Sequence, residues 1–249
     1  MSHAEMYIYG RHPVEEALER ASSTVTEVIV DGDPGQKRWR DLQSLAHQKG
    51  VRLRGAPTDE LDGLAEGGNH QGVVAGLQEY PYYTLSELMK REPKGEHRCL
   101  MALAQVQDPG NLGAILRSAA ALGVDGVILP KHRAAHITPT VIRRSAGLAM
   151  EVPVAKVTNL SRALRELKEE RYWVVGTVSD DGQKAWQMDW ALDAVIVMGG
   201  EHQGMRPGVE KECDFRLTIP LSAGAESLNV SAAASIVLYD RLRTLDSGG

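Results

Sequence analysis

CLMALAQVQDPGNLGAILRSAAALGVDGVILP, residues 99–130, holds an architecture in miniature. An unbroken apolar run, CLMALAQV, leads through turn residues into a helix of small apolar residues. A second apolar run, VDGVILP, follows. Strands that are apolar throughout and separated by helices predict a parallel sheet covered on both faces. In the helix, Leu112, Ile115, Leu116 and Ala119 form one buried face, and Asn111 stands where an N-cap is expected. Gly113, Arg117 and Ala121 lie on a different stripe. The neighbours of Arg117 one turn away are Gly113, Ala114, Ala120 and Ala121, so its own helix offers it no acid. The arginine must pair elsewhere in the fold or with a ligand. Phosphate is the natural guess, because the guanidinium fork matches its oxygens bidentately.

The same alternation continues toward the C-terminus. TPTVIRRSAGLA and NLSRALRELKEERY read as helices, and YWVVGTVS, AVIVMGG and RLTIPL as strands. SLNVSAAASIVLYDRLR reads as a closing helix. Before residue 99 the pattern is a smaller α/β unit. GRHPVEEALER is helical, with Pro13 in its first turn. VTEVIVDG, VRLRGAP and GVVAGLQEY are strands. Residues 36–50 have Trp39, Leu42, Leu45 and Ala46 at helical spacing, with Gly50 as C-cap, and TDELDGLAE opens with Thr58 as cap. Residues 81–97 hold one short helix and a polar stretch containing Pro and Gly, which reads as a linker. The expected domains are therefore 1–80, a linker at 81–97, and 98–249.

With 249 residues, 43% hydrophobic and 24% charged, the composition is that of an ordinary globular protein. No apolar run reaches the ~18 residues of a membrane helix. The N-terminal MSHAEMYIYGRH lacks a basic region followed by an apolar one, so no secretory signal is expected. Cys99 and Cys213 are the only cysteines, expected as small buried thiols in a reducing cytoplasm. His132 and His136 are four residues apart but lack a third ligand, so no metal is expected. The net charge of -5 argues against binding nucleic acid over the whole surface. Two basic islands stand out. Lys37, Arg38, Arg40, Lys49, Arg52 and Arg54 face only Asp41 between residues 37 and 54, and Lys131, Arg133, Arg143 and Arg144 precede the next acid, Glu151. Each island suits phosphate contact or a solvated charged face.

Three strand ends carry chemistry. The first is DPGNLGAILR with Asn111 and Arg117. The second is VIVMGGEHQGMRPG, where Met198 is followed by Gly199, Glu201 and Gly204; glycines there make a tight turn or let a ligand reach the backbone. The third is LTIPLSAGAESLNVS, where Ile219 and Pro220 precede a small-residue loop. Ser227, Leu228 and Asn229 then open the last helix, with Ser227 as its expected N-cap. No GxGxxG or GxxxxGK[ST] occurs, so dinucleotide-fold and P-loop readings lose their support.

Together these segments resemble the SpoU/TrmH family of RNA ribose 2'-O-methyltransferases. The family pattern Asn-x-Gly-x-x-x-Arg, Gly-x-Glu-x-x-Gly-Met, Ile-Pro…Ser-Leu-Asn-Val-Ser is met by Asn111–Arg117, Gly199–Met205 and Ile219–Pro220 with Ser227–Ser231. The resemblance covers about residues 97–245. YGRHPVEEALE and NHQGVVAG resemble the ribosomal-L30e-like domain of the subgroup that modifies a guanosine of 23S rRNA. The resemblance implies an α/β fold with a C-terminal trefoil knot in a mainly parallel sheet, preceded by a small L30e-like domain. It also implies S-adenosylmethionine as cofactor, 23S rRNA as partner and a homodimer completing the site, with no membrane or metal. It assigns catalytic roles to Arg117, Asn111, Glu201, Ser227 and Asn229, with Glu201 orienting a neighbour. The cofactor would lie on Gly199, Ile219, Leu228, Met198, Gly204 and Pro220. RNA contact is implied for Arg11, His70, Gln71, Lys131, Arg143 and Arg144. The same chemistry on tRNA, and a non-catalytic assembly factor, are the alternatives.

Overall fold

The structure, a computed structural model, describes residues 6–146, 148–200, 204–222 and 227–246. The chain forms two compact units. The first comprises residues 1–81 and 137–151, the second 82–136 and 152–249.

The first unit is built on β1 (Met6–Tyr9), β2 (Val25–Asp31), β3 (Leu53–Ala56) and β4 (Val73–Leu77), in the order β1-β4-β2-β3. β4 runs antiparallel to both neighbours, and β2 parallel to β3. Helices α1 (Arg11–Ala21), α2 (Arg40–Gln48) and α3 (Thr58–Leu64) connect the strands. α1 buries Val14, Ala17 and Leu18, the face its spacing predicts. Trp39, Leu42 and Ala46 are buried at the start of and along α2. The Thr58 cap is a correction. Pro57 precedes α3, and the Thr58 hydroxyl instead donates to Asp31 Oδ1 at 2.7 Å. The helix already begins at Thr58, so this residue stands inside the first turn rather than before it, and its hydroxyl serves a carboxylate of β2.

The second unit contains β5 (Cys99–Leu103), β6 (Gly126–Pro130), β7 (Val154–Val157), β8 (Trp173–Val178), β9 (Gln183–Lys184), β10 (Ala194–Met198) and β11 (Phe215–Thr218). They form one sheet ordered β7-β6-β5-β10-β8-β11-β9, parallel at every pairing. All five residues of β5 and of β10 are buried, as strands covered on both faces require. The helices of this unit are α4 (Leu85–Met89), α5 (Pro109–Ala121), α7 (Leu160–Glu169), α8 (Pro207–Glu210) and α9 (Val230–Asp246); α6 (Pro139–Arg144) belongs to the first unit. α7 buries Leu160, Ala163, Leu164 and Leu167 against the sheet, as its pattern predicts. α4 opens with a capping box in which the Thr84 hydroxyl accepts the Glu87 N–H at 3.2 Å and the Glu87 carboxylate accepts the Thr84 N–H at 2.7 Å. Both cysteines are free, and burial pushes each thiol up to about 11.

Chain order reverses between β5 and β10. From β5 the chain moves outward to β6 and β7, then crosses to β8 on the far side of β10. Such a switch leaves a crevice at the carboxyl ends of the central strands, where open parallel sheets bind ligands. Among the described residues no helix is long and apolar enough to cross a membrane, and no three His, Cys, Asp or Glu side chains group as metal ligands.

Candidate active site

The crevice at the switch point is a cavity of about 620 Å3, within the range of small-molecule sites. Five strand or helix ends converge on it. β10 supplies Met198, Gly199 and Gly200, β8 supplies Thr177, Val178 and Ser179, and the end of β11 supplies Leu217 and Ile219. The start of α5 contributes Asp108 and Asn111, and the approach to α9 contributes Ser227, Leu228 and Asn229.

Two helix N-termini meet here, and their caps show how. Asp108, not Asn111, caps α5; its Oδ1 accepts the Asn111 N–H at 2.7 Å, with Pro109 next to it. Asn111 sits one turn-position later, which frees its side chain to face α9. There its Oδ1 accepts the Asn229 amide at 2.9 Å. Asn229 in turn accepts the Ser231 N–H at 2.9 Å and the Ser231 hydroxyl at 2.6 Å. Asn229 therefore does the capping expected of Ser227, because helix α9 begins only at Val230. Below the tips, the Ser118 and Ser235 hydroxyls meet at 2.8 Å, holding α5 against α9. The free N–H groups and dipoles of both helices favour negative charge at this end of the crevice.

The glycines have a steric reason. A Cβ on Gly199 would stand 2.9 Å from the Gly204 backbone and 3.2 Å from the Met205 nitrogen. Gly200 N–H donates to the Gly204 carbonyl at 3.0 Å, and Gly204 has φ +59°. Gly204 thus lies back against the end of β10, and Gly199, Gly200 and Gly204 all line the cavity. Thr177 Oγ1 donates to the Val197 carbonyl at 2.9 Å and Thr218 Oγ1 to Ser179 at 2.9 Å, bracing the neighbouring strand ends.

Of the cofactor candidates, Met198, Gly199, Gly204, Ile219 and Leu228 line this cavity, and Pro220 does not. Of the catalytic candidates, Asn111, Ser227 and Asn229 line it. Glu201 lies outside the described residues. Arg117 is exposed on α5 and does not line the cavity; no hydrogen bond or ion pair reaches it among the described residues. Thr177, Val178 and Ser179 were not singled out from sequence. Their strand, YWVVGTVS, was recognised, and the rule that ligands sit at carboxyl ends of parallel strands would have pointed to them.

The RNA candidates divide between the units. In the first, Arg11 pairs with Glu15 at 2.7 Å and with Asp41 at 3.8 Å. His70 Nδ1 accepts the Gly72 N–H at 3.0 Å, which leaves the proton on Nε2 to bond Asp62 at 3.0 Å. Gln71 between them is exposed at φ +51°. Arg143 lies 3.4 Å from Glu66, and Arg144 is exposed. Lys131, in the second unit, is exposed just beyond β6. The basic island at 37–54 is less bare than its sequence. Arg54 pairs with Glu27 and Glu60, and Arg38 with Asp31, acids supplied by other elements. The hydrogen bond from the Thr58 hydroxyl first, and then Arg38, hold the Asp31 carboxyl below its ordinary value.

Residues 98–239 match the SpoU rRNA Methylase family, and residues 7–83 match the family described as RNA 2'-O ribose methyltransferase substrate binding. A 23S rRNA (guanosine-2'-O-)-methyltransferase RlmB of Xylella fastidiosa is 36% identical over 98% of this chain and 98% of its own. The protein of the same description from Xanthomonas campestris is 35% identical over 98% of each chain. The SpoU methyltransferase AviRb of Streptomyces viridochromogenes, solved in complex with AdoMet, superposes with a TM-score of 0.69 at 26% identity, covering 97% of this chain and 91% of that one. With two family models matched in tandem and relatives alike from end to end, this chain belongs to the SpoU rRNA methylase family.

Proposed function

We propose that this protein transfers a methyl group from S-adenosylmethionine to the ribose 2'-hydroxyl of a guanosine in 23S rRNA. The observation that carries the reading is the crevice itself. Three motifs far apart in sequence supply its glycine cradle, its apolar wall and its paired asparagines at one switch point. S-adenosylmethionine suits these residues. Ile219 and Leu228 offer an apolar surface for a base, Gly199 leaves backbone accessible, and the helix tips favour a carboxylate. Bound there, the cofactor supplies a methyl group on a positively charged sulfur that leaves as a neutral thioether, so no general acid is required.

The residues of the chain must then position the ribose and help the 2'-hydroxyl lose its proton. A guanidinium keeps its own proton at physiological pH. Arg117 therefore acts by holding the target phosphate and stabilising the developing alkoxide, while the proton leaves to a phosphate oxygen or water. Asn111, Asn229 and Ser227 orient the ribose and the cofactor.

Arg117 does not line its own chain's crevice, and we assign it to the crevice of a second protomer in a homodimer. An exposed stripe on α9, Ala232, Ile236 and Tyr239, supports that interface; Ile236 is 42% and Tyr239 59% exposed. Apolar surface of this kind marks an interaction face. Tyr239→Glu should convert a dimer to a monomer in sedimentation velocity at micromolar concentration. A variant that sediments as the parent protein does would refute the interface. The reading further includes a knotted C-terminal chain, an L30e-like fold and RNA-selecting role for residues 1–80, a junction at 81–97, and a cytoplasmic setting beside rRNA.

The deciding experiment supplies methyl-labelled S-adenosylmethionine with unmodified 23S rRNA and, separately, unmodified tRNA, followed by digestion to nucleosides. Label in 2'-O-methylguanosine from rRNA is the expected result. Label from tRNA alone would keep the chemistry and change the substrate. No label from either, with the cofactor bound, would favour the non-catalytic assembly factor.

A further inference from the structure

The first unit holds a second cavity, about 530 Å3 in volume, whose lining includes one of the RNA candidates, Arg143. It opens beside β1, an edge strand. Tyr7 and Tyr9 alternate with buried Met6 and Ile8, so both tyrosines project from one face. Each is half-buried and lines the cavity, and Ile142 of α6 adds apolar surface. Exposed polar groups complete the lining: Glu66, Asn69 and Arg143.

Several features distinguish this cavity from a packing defect. The Tyr9 hydroxyl has no hydrogen-bond partner among the described residues. Its burial, then the nearby Glu66 and Glu151 carboxylates, push its ionisation up, so it stays a donor. The ring position is set by Gly68, where any side chain would collide with the Tyr9 ring. The Arg143–Glu66 contact is long and about half-exposed on both sides, so it holds the guanidinium only weakly. Two aromatic rings, a free phenol and an available guanidinium are the groups that bind an unpaired nucleotide: a face to stack on, a donor for the base edge, a cation for phosphate. The tyrosines and Gly68 also fall inside the segment matching the substrate-binding family, residues 7–83.

We infer that this cavity takes one unstacked base of the RNA, stacked on Tyr9, with the adjoining phosphate on Arg143. The inference rests on the proposed RNA substrate and assigns it a second point of recognition, apart from the methyl-transfer crevice.

The test measures binding of a fluorescent single-stranded RNA heptamer and of a 23S rRNA fragment to the full-length protein by anisotropy. Tyr9→Phe, Tyr9→Leu and Gly68→Ala are compared with the parent, and thermal melting and S-adenosylmethionine affinity are recorded for each. Tyr9→Leu keeps apolar packing but removes the ring, and should weaken both RNAs roughly tenfold. Tyr9→Phe keeps the stacking face and loses only the donor, so its loss should be smaller than that of Tyr9→Leu. Gly68→Ala displaces the ring and should resemble Tyr9→Leu. Cofactor affinity should not change. No loss in Tyr9→Leu, equal losses in Tyr9→Leu and Tyr9→Phe, or no binding of the heptamer by the parent would overturn the inference. If the parent methylates no RNA yet heptamer binding still depends on the ring at position 9, the proposed function fails and the cavity stands.

Discussion

Replacing Arg117 by alanine should lower kcat by roughly 10²–10³-fold, the cost of losing one preorganised group facing developing charge. S-adenosylmethionine affinity should change by no more than about twofold, as for a surface substitution away from the binding site. The split follows from position. Arg117 is exposed, lines no part of its own chain's crevice, and meets no acid among the described residues. Its loss therefore removes nothing from the fold or from cofactor contact, and removes only what it offers to RNA. Single-turnover methyl transfer with saturating rRNA, beside calorimetric titration of the cofactor, separates the two quantities. Near-parental turnover in Arg117→Ala would end the catalytic reading of this residue.

Gly199→Ala should fail in the opposite way. The added methyl would lie 2.9 Å from the backbone of Gly204 and 3.2 Å from the Met205 nitrogen. Backbone cannot rotate aside as a side chain can, so the Gly200–Gly204 bridge must open or β10 must shift. Overpacking of this kind costs about 1–3 kcal/mol, and the cradle is where it would be felt. Cofactor Kd should rise roughly 5- to 150-fold, which the same titration reads. An unchanged Kd would show that the cofactor does not touch this strand end.

The two variants also test each other. In an isologous dimer, a protomer carrying Arg117→Ala keeps an intact crevice, and one carrying Gly199→Ala keeps an intact arginine. If Arg117 serves the second protomer, mixing the two variants under subunit exchange, at a cofactor concentration too low to fill the Gly199→Ala crevice, should restore about a quarter of the parental rate. No recovery, with exchange verified, would place the arginine in its own chain's reaction.

Much of this was legible in the residues alone. Unbroken apolar runs such as AVIVM have no polar face to give to water, so a sheet covered on both sides was implied before any contact was known. The buried faces of α1, α5 and α7 followed from 3.6-residue spacing, a local property. The three motifs marked their strand ends because glycine, asparagine and serine there have few structural uses. β1, β7 and β9 were not read: MYIY and VAKV are four residues long, QK is two, and so short a run carries too little periodicity to stand out.

What tertiary structure alone decided is which groups meet. Asn111 and Asn229 are 118 residues apart, and no local rule says their amides should bond. Thr58 shows the same, its hydroxyl donating to Asp31, 27 residues away, whereas the cap of α5 is local, Asp108 accepting the N–H of Asn111 three residues on. Arg54 lies in a run of basic residues, yet it finds Glu27 and Glu60 across the sheet. The second cavity joins β1 to a helix some 130 residues later. Periodicity encodes what each segment must bury, whereas long-range pairing depends on how buried faces are stacked, and that is settled only when the whole chain is packed.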